Sequence, residues 1–133
     1  MAGPERFDAG RLMSEYETDE LRLAAALALF AEREDLGFVW LAYRDDELVG
    51  CCSVGYAVGT RAGGLVGVVR DLYVRRSQRR TGVATALLEA LRQRLRPAEV
   101  TALEVHSGTH ASLAAFLAAR GYALTGGTFT APC

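Results

Sequence analysis

Hydrophobic and polar positions follow helical and strand periods in separate blocks along the chain. Apolar residues recur at helical spacing after Thr18, so we expect a helix that Thr18 caps and that runs to about Glu34. Two apolar runs at 38–43 and 48–56 flank a short polar segment and predict a β-hairpin. A third run at 65–74 is apolar on both faces, which is typical of a buried central strand.

The second half of the chain predicts a helix, a strand and another helix. Apolar residues fill one side of a helix over 83–95, and a strand over 101–106 follows. The last helix is expected after a cap at Ser107 or Thr109. Parallel pairing of 65–74 with 101–106 through a right-handed crossover gives an α/β fold, a mixed sheet with helices on both faces.

Length and composition bound the class of protein. The 133 residues are half apolar and carry a net charge of −1, which predicts one domain over 1–133 and argues against a nucleic-acid partner. Residues 1–10 are polar and include glycine and proline, so we expect them to be loosely ordered. Residues 8–16 could form a short helix, with Leu12 and Tyr16 on one face. No apolar run approaches the ~20 residues of a membrane span, and no membrane partner is expected.

The three cysteines indicate neither a disulfide framework nor a metal site. Cys51 and Cys52 are adjacent and would point to opposite faces of a strand. Without a second cysteine pair or paired histidines, they lack a metal-ligand pattern. A reducing cytoplasm is therefore the expected location.

The chemistry of the chain is concentrated in a basic turn between a strand and a helix. Arg79-x-x-Gly82-x-Ala84 follows the apolar strand that ends at Val74 and opens the helix over 83–95. The first N–H groups of a helix lack intrahelical partners and carry partial positive charge, so they bind anions. Small residues let a phosphate approach the main chain, and four nearby arginines raise the local potential. The turn predicts a pyrophosphate site.

The strand, turn and helix together resemble the acetyl-CoA-binding motif of the GNAT family of N-acetyltransferases, whose pattern is Arg/Gln-x-x-Gly-x-Gly/Ala. The resemblance covers roughly residues 18–122. It implies a V-shaped split between two parallel strands, with the pantetheine arm of acetyl-CoA against main-chain groups of Leu72 and Val74 in that split. It also implies transfer of an acetyl group to an amine. The implied cofactor contacts are Leu72, Tyr73, Val74, Arg79, Arg80, Thr81, Gly82, Val83, Ala84 and Thr85.

Two sets of residues are candidates for acid–base catalysis, because amine attack on a thioester needs a proton acceptor. Asp71 shares a strand face with Tyr73 by simple alternation, with Arg70 on the other face, unless a bulge changes the parity. Glu104 and His106 share one face of the next strand and form a second candidate pair. Each also has a structural explanation, as an ion-pair partner, a hydrogen-bond acceptor or a helix cap.

The chain departs from the family pattern in one catalytic position and at both ends. The tyrosine that protonates the leaving thiolate in the family falls on Leu117, so the acid is water, another residue or absent. A CoA-binding sensor or partner module without turnover is therefore the alternative function. No strand precedes residue 10, and the tail after Tyr122 has room for one strand rather than a hairpin. Open sheet edges predict a homodimer.

The acceptor is expected to be a primary amine of a small molecule or a protein. Acidic residues at 15, 17, 19 and 20 could attract a cationic amine, or could simply be the solvated start of a helix. A nucleotide-binding protein is disfavoured because the turn lacks the Gly-Lys-Ser/Thr of a P-loop.

Overall fold

The computed structural model describes residues 3–106, 111–125 and 128–133. Within them the chain forms four α-helices and six β-strands, with short 3-10 turns at Arg76–Gln78 and Arg96–Ala98. The elements in chain order are α1 (Gly3–Met13), α2 (Glu20–Glu32), β1 (Gly37–Arg44), β2 (Glu47–Gly59), β3 (Gly64–Val74), α3 (Val83–Leu95), β4 (Val100–Val105), α4 (Ala111–Ala119), β5 (Ala123–Thr125) and β6 (Thr128–Pro132).

The strands form one mixed sheet in the order β1-β2-β3-β4-β6-β5. Neighbours are antiparallel except for β3 and β4, which are parallel and are joined through α3. The expected mixed α/β sheet with one parallel pair is therefore confirmed. Strands β1 and β5 are its outer edges.

Two apolar clusters pack on opposite faces of the sheet. The larger includes the buried side of α3, where Leu87, Leu91 and Leu95 repeat at helical spacing against Val69 of the sheet. The smaller lies under α1 and α2 and includes Cys51 of β2. Cys52 belongs to the larger cluster, so the two adjacent cysteines do point to opposite faces.

The N-terminal segment differs from its prediction. Residues 3–10 are helical, not loosely ordered, and α1 continues to Met13. Ala9, Leu12 and Met13 follow the i, i+3, i+4 spacing of a helix and are buried against the sheet, which stabilises the segment. Helix α2 is capped by Asp19 rather than Thr18, because the Asp19 carboxylate accepts the Arg22 N–H at 3.1 Å.

The tail forms a hairpin, so the prediction of a single strand there is wrong. Strand β6 pairs with β4, and β5 pairs with β6 on the outside. The two strands flank Gly126-Gly127 in the sequence, a pair that favours a two-residue hairpin connection. The proposed caps of the last helix, Ser107 and Thr109, lie outside the described residues.

None of the helices in the described ranges is long and apolar enough to cross a membrane.

Candidate active site

Strand β3 loses its parallel neighbour partway along its length. Val69 pairs with Val105, and the His106 N–H donates to the Val69 carbonyl at 3.1 Å. These are the last bonds between the two strands in the described residues, yet β3 continues to Val74. The split that the sequence resemblance implies therefore begins after Val69.

The main-chain groups that face this split belong to Leu72 and Val74. The Arg75 N–H donates to the Val49 carbonyl of β2 at 2.8 Å. Because alternate residues of a strand direct their main-chain groups to opposite sides, those of Tyr73 also face β2. Leu72 and Val74 then face the side that β4 has left. These are the two residues whose main chain the sequence assigns to the pantetheine arm.

A β-bulge sits at the mouth of the split. The partners of Val69 and Leu72 on β2 are only two residues apart, so Arg70 and Asp71 both lie opposite Ser53. Val69 and Leu72 consequently pack on the α3 side, whereas Asp71 faces α1 and α2. Because of the bulge, the side chains of Val69 and Asp71 point to opposite faces although they are two residues apart. Bulges also bend and twist the strand that carries them.

The basic turn ends in an uncapped helix. Arg80 and Gly82 both adopt left-handed backbone conformations, with φ of 64° and 86°. No side chain caps α3, and the first main-chain bond of the helix runs from the Ala86 N–H to the Gly82 carbonyl. A Cβ on Gly82 would meet no protein atom within 4 Å. The amides of residues 83–85 thus have neither a side-chain cap nor an intrahelical partner, and the space beside Gly82 is free, as an anion site requires.

Arg44 holds this turn from a neighbouring strand. Its guanidinium donates to the Gln78 side-chain oxygen at 3.1 Å and to the Thr81 carbonyl at 3.2 Å. The Thr81 hydroxyl in turn donates to the Gln78 carbonyl. Arg44 lies 37 residues from Thr81 and carries no local signal, so the sequence alone does not point to it.

Arg79 reaches into the split rather than toward the turn. Its Nε donates to the Val74 carbonyl at 2.9 Å, and its guanidinium lies 5.5 Å from the centre of the Tyr73 ring. The Val74 carbonyl, which the family resemblance assigns to the pantetheine arm, thus accepts a hydrogen bond from Arg79, the first residue of the cofactor motif. A cofactor that takes this carbonyl would have to displace Arg79.

The arginines near the turn contribute unequally to its charge. Arg75 pairs with Glu15 at 3.0 Å and with Glu47 at 3.7 Å, which offsets its charge. Arg120, to which the sequence alone likewise does not point, donates from Nε to the Thr85 hydroxyl at 3.2 Å. It places a cation beside the first turn of α3 from the far end of α4.

The candidate proton acceptor Asp71 has a defined hydrogen-bond partner on the face of the sheet that α1 and α2 cover. The Ser53 hydroxyl donates to Asp71 Oδ2 at 2.6 Å. Ser53 is 5% exposed and is the only buried polar residue among those described. Tyr16 lies close by and stacks on Tyr73 with ring centres 4.8 Å apart. Neither Ser53 nor Tyr16 was identified as a site residue from the sequence.

Burial keeps the neighbouring groups protonated. It raises the pKa of the Cys51 thiol to about 12, with a further contribution from the Asp71 carboxylate. Burial also raises the pKa of Tyr16 well above its ordinary value, and Cys51 and Asp71 add to the effect. Cys51 is therefore a protonated strand residue at neutral pH and not a nucleophile.

The second candidate pair lies apart from this cluster. Glu104 stands opposite Val68 on one side and Thr130 on the other. His106 follows the end of β4 and is exposed. In the described ranges no hydrogen bond or ion pair joins either side chain to Asp71. The same residues hold no cluster of three or more side chains suited to a metal ion.

The position of the missing tyrosine is part of the core. Leu117 is fully buried in the larger cluster, so a tyrosine placed there would displace core side chains. A Leu117→Tyr substitution would therefore not restore a proton donor to the site. Tyr122 offers no substitute, because burial raises its pKa to about 12 and its hydroxyl has no hydrogen-bond partner among the described residues.

Several solved structures share this architecture. An integron cassette protein from the mobile metagenome of Cole Harbour Salt Marsh is 27% identical, with a TM-score of 0.74 over 88% of this chain and 76% of its own. A probable acetyltransferase is 22% identical, with a TM-score of 0.78 over 93% and 88%. A ribosomal-protein-alanine N-acetyltransferase from Brucella melitensis biovar Abortus 2308 is 18% identical, with a TM-score of 0.73 over 92% and 88%.

No curated protein matches the chain. The family model described as the acetyltransferase (GNAT) family matches residues 6–122, which include the split, the bulge and the uncapped helix. With that match, and with a fold that its structural neighbours share, the chain belongs to the GNAT acetyltransferase family.

Proposed function

We propose that this protein transfers the acetyl group of acetyl-CoA to a primary amine by direct attack of the amine on the thioester. The observation that carries the proposal is the alignment of two features on one strand. The freed main-chain groups of Leu72 and Val74 lead directly to the uncapped start of α3. An extended pantetheine arm followed by a diphosphate matches that order.

The cofactor would be held mainly by main-chain groups. The amides of residues 83–85 bind the diphosphate, the Arg120 guanidinium lies beside them, and Arg80 adds a positive charge to the same turn. The pantetheine arm replaces Arg79 on the Val74 carbonyl. The Leu72 N–H polarises the thioester carbonyl in the manner of an oxyanion hole, a role that needs a donor fixed before the reaction.

Asp71 is the proposed proton acceptor. Its carboxylate lies two residues beyond the last pairing of β3 with β4, and Ser53 fixes one of its oxygens. It takes a proton from the incoming ammonium, directly or through a water molecule. The amine nitrogen then bonds to the acetyl carbon, the carbon–sulfur bond breaks, and the nitrogen loses its second proton to water or to the departing sulfur. The CoA thiol, with a pKa of roughly 8.5 by analogy with cysteine, departs partly as thiolate.

A CoA-binding module without turnover is the second candidate. The observation that favours it is the buried Leu117, which fills the position of the family's proton donor with a core side chain. Binding of acetyl-CoA is common to both candidates, so only the release of CoA thiol in the presence of amines separates them.

Isothermal titration of acetyl-CoA into wild type and Gly82→Val tests the cofactor assignment. Valine at a left-handed position is strained and would fill the space in front of the helix amides, so we expect affinity to fall at least about tenfold. Gly63→Val is the matched control, since Gly63 is also left-handed and a Cβ there would likewise meet no protein atom within 4 Å. Equal affinity of Gly82→Val and wild type would overturn the assignment.

A further inference from the structure

A cavity of about 230 Å³ lies between the helix pair α1–α2 and the sheet face that carries Asp71. One end is polar, where Asp71 and Ser53 meet. The wall formed by α2 is apolar and includes Leu23, Ala26 and Phe30. The volume is below the ~300–1,000 Å³ typical of sites for drug-sized ligands, so the occupant is small.

The polar end suits a single ammonium group. The Ser53 hydroxyl donates a hydrogen bond to Asp71 Oδ2. No other hydrogen bond or ion pair to Asp71 is present in the part of the chain described. The second carboxylate oxygen is therefore available to a ligand. An ammonium bound there is charge-paired and lies next to the point where β3 and β4 part.

The charged residues at the rim are exposed to solvent and offer at most a weak second anchor, because exposed ion pairs add little to binding. Arg22 is 89% exposed and its Nε lies 3.4 Å from the Asp19 carboxylate. Glu17 accepts the Asp19 N–H at 3.0 Å. The wall between this rim and Asp71 is apolar, so a second charge on the ligand would lose hydration along the wall or reach only the exposed rim, where water competes with any partner.

We infer that the acceptor is a small primary monoamine with an uncharged, apolar tail, an inference that rests on the proposed acetyl transfer. The ammonium lies on Asp71 and the tail packs against α2 at Leu23, Ala26 and Phe30. Asp71 takes one proton from the ammonium, and the amine nitrogen bonds to the acetyl carbon. The carbon–sulfur bond breaks with its electrons on sulfur, and the nitrogen gives its second proton to the departing sulfur or to water. The products are the N-alkylacetamide and CoA.

Three amines of equal chain length test this inference by release of CoA thiol: hexylamine, hexamethylenediamine and ε-aminocaproate. We expect kcat/KM to be at least about tenfold higher for hexylamine, because the other two bring a second charge to an apolar wall. Ala26→Glu places a carboxylate on that wall and should shift the preference toward hexamethylenediamine by about tenfold. Ala25→Glu, the same change on an exposed neighbour outside the cavity, should leave the preference unchanged.

The outcomes separate this inference from the proposed function. Acetylation of hexamethylenediamine or ε-aminocaproate as efficiently as hexylamine would overturn the inference while acetyl transfer stands. If acetyl-CoA binds but no amine is acetylated, the proposed acetyl transfer is refuted. The inferred amine site is then tested by titrating hexylamine into the complex with CoA. Saturable binding that Ala26→Glu weakens and Ala25→Glu does not would support it, and no binding would overturn it.

Discussion

The cofactor turn and the amine cavity are built in opposite ways. The turn and the helix start behind it occupy one continuous stretch from Arg76 to Thr85, and its anion-binding groups belong to the main chain. The cavity is assembled from α1, α2, β2 and β3, and its chemistry depends on single side chains such as Ser53 and Asp71. Local backbone geometry is enough for the first, whereas the second exists only once the sheet has formed.

The two regions should therefore differ in the side-chain substitutions that they tolerate. A diphosphate bound by main-chain amides is indifferent to most side-chain changes, provided that the left-handed glycine remains. An amine bound by one carboxylate loses its partner with one substitution. Cofactor affinity should therefore be robust to side-chain changes, and amine turnover fragile. Substitutions of Asp71, Ser53, Arg120 and Glu15 test that contrast.

Asp71→Asn should abolish most turnover and spare cofactor binding. Asparagine keeps the shape but cannot accept a proton, and loss of a general base costs on the order of 10²–10⁴-fold in rate. The measurement is kcat/KM for the best amine together with the dissociation constant of acetyl-CoA. Asp35→Asn, an exposed partner of Arg33, is the control. Unchanged turnover in Asp71→Asn would exclude Asp71 as the base.

Ser53→Ala should lower kcat by roughly tenfold to a hundredfold, because Asp71 loses the hydroxyl that orients it. Ser53 acts through Asp71 and is a positioning residue, so KM for acetyl-CoA should not move. Ser53→Thr retains the hydroxyl and should restore most of the rate. Equal loss in both variants would indicate a packing defect at a buried site instead.

Arg120→Ala should weaken acetyl-CoA binding by about threefold to tenfold, since one partly exposed cation is removed from beside the α3 amides. Added salt should reduce the difference from wild type. Arg94→Ala removes an exposed arginine from the other end of α3 and serves as the control for net charge. An equal effect of both variants would mean that Arg120 acts only through overall charge.

Glu15→Gln should produce the smallest change. Burial and then the hydrogen bond to Glu15, at 2.9 Å, raise the pKa of Tyr73. That bond stabilises the fold while Tyr73 is neutral, and its contribution is lost as pH rises through the pKa of Tyr73. The variant should move the Tyr73 pKa downward and cost about 1 kcal/mol or less of unfolding free energy. Ultraviolet titration against Tyr73→Phe in both backgrounds isolates this residue.

The parts of the fold that the sequence predicts well are those with a complete local signal. Helix α3 has apolar residues on one side throughout, and the pattern predicts it over 83–95, its observed bounds. Helix α1 is predicted only in part: the spacing around Leu12 predicts a short helix over 8–16, whereas the glycines and proline within 1–10 indicate a loosely ordered segment where the helix in fact begins. The hairpin of β5 and β6 escapes prediction because β5 is only three residues long.

The same rule holds for the candidate site: residues with a local sequence signal can be predicted, and residues brought together only by the fold cannot. Asp71 and the turn follow from neighbours in the sequence. Arg44 and Arg120 act on residues 37 and 35 positions away, and only the folded sheet brings them together. Ser53 leaves one local trace, a hydroxyl within the apolar run of β2, which a search for buried polar residues could have found.

The parting of β3 from β4 also has a consequence for amide hydrogen exchange. Upstream of Val69 the main chain of β3 is bonded to strands on both sides, whereas the Leu72 and Val74 amides face the split. Those two amides should exchange with deuterium on the timescale of exposed groups, in the middle of an otherwise protected sheet. Slow exchange at these two positions upon addition of a ligand would mark occupancy of the split, even for a ligand that never reacts.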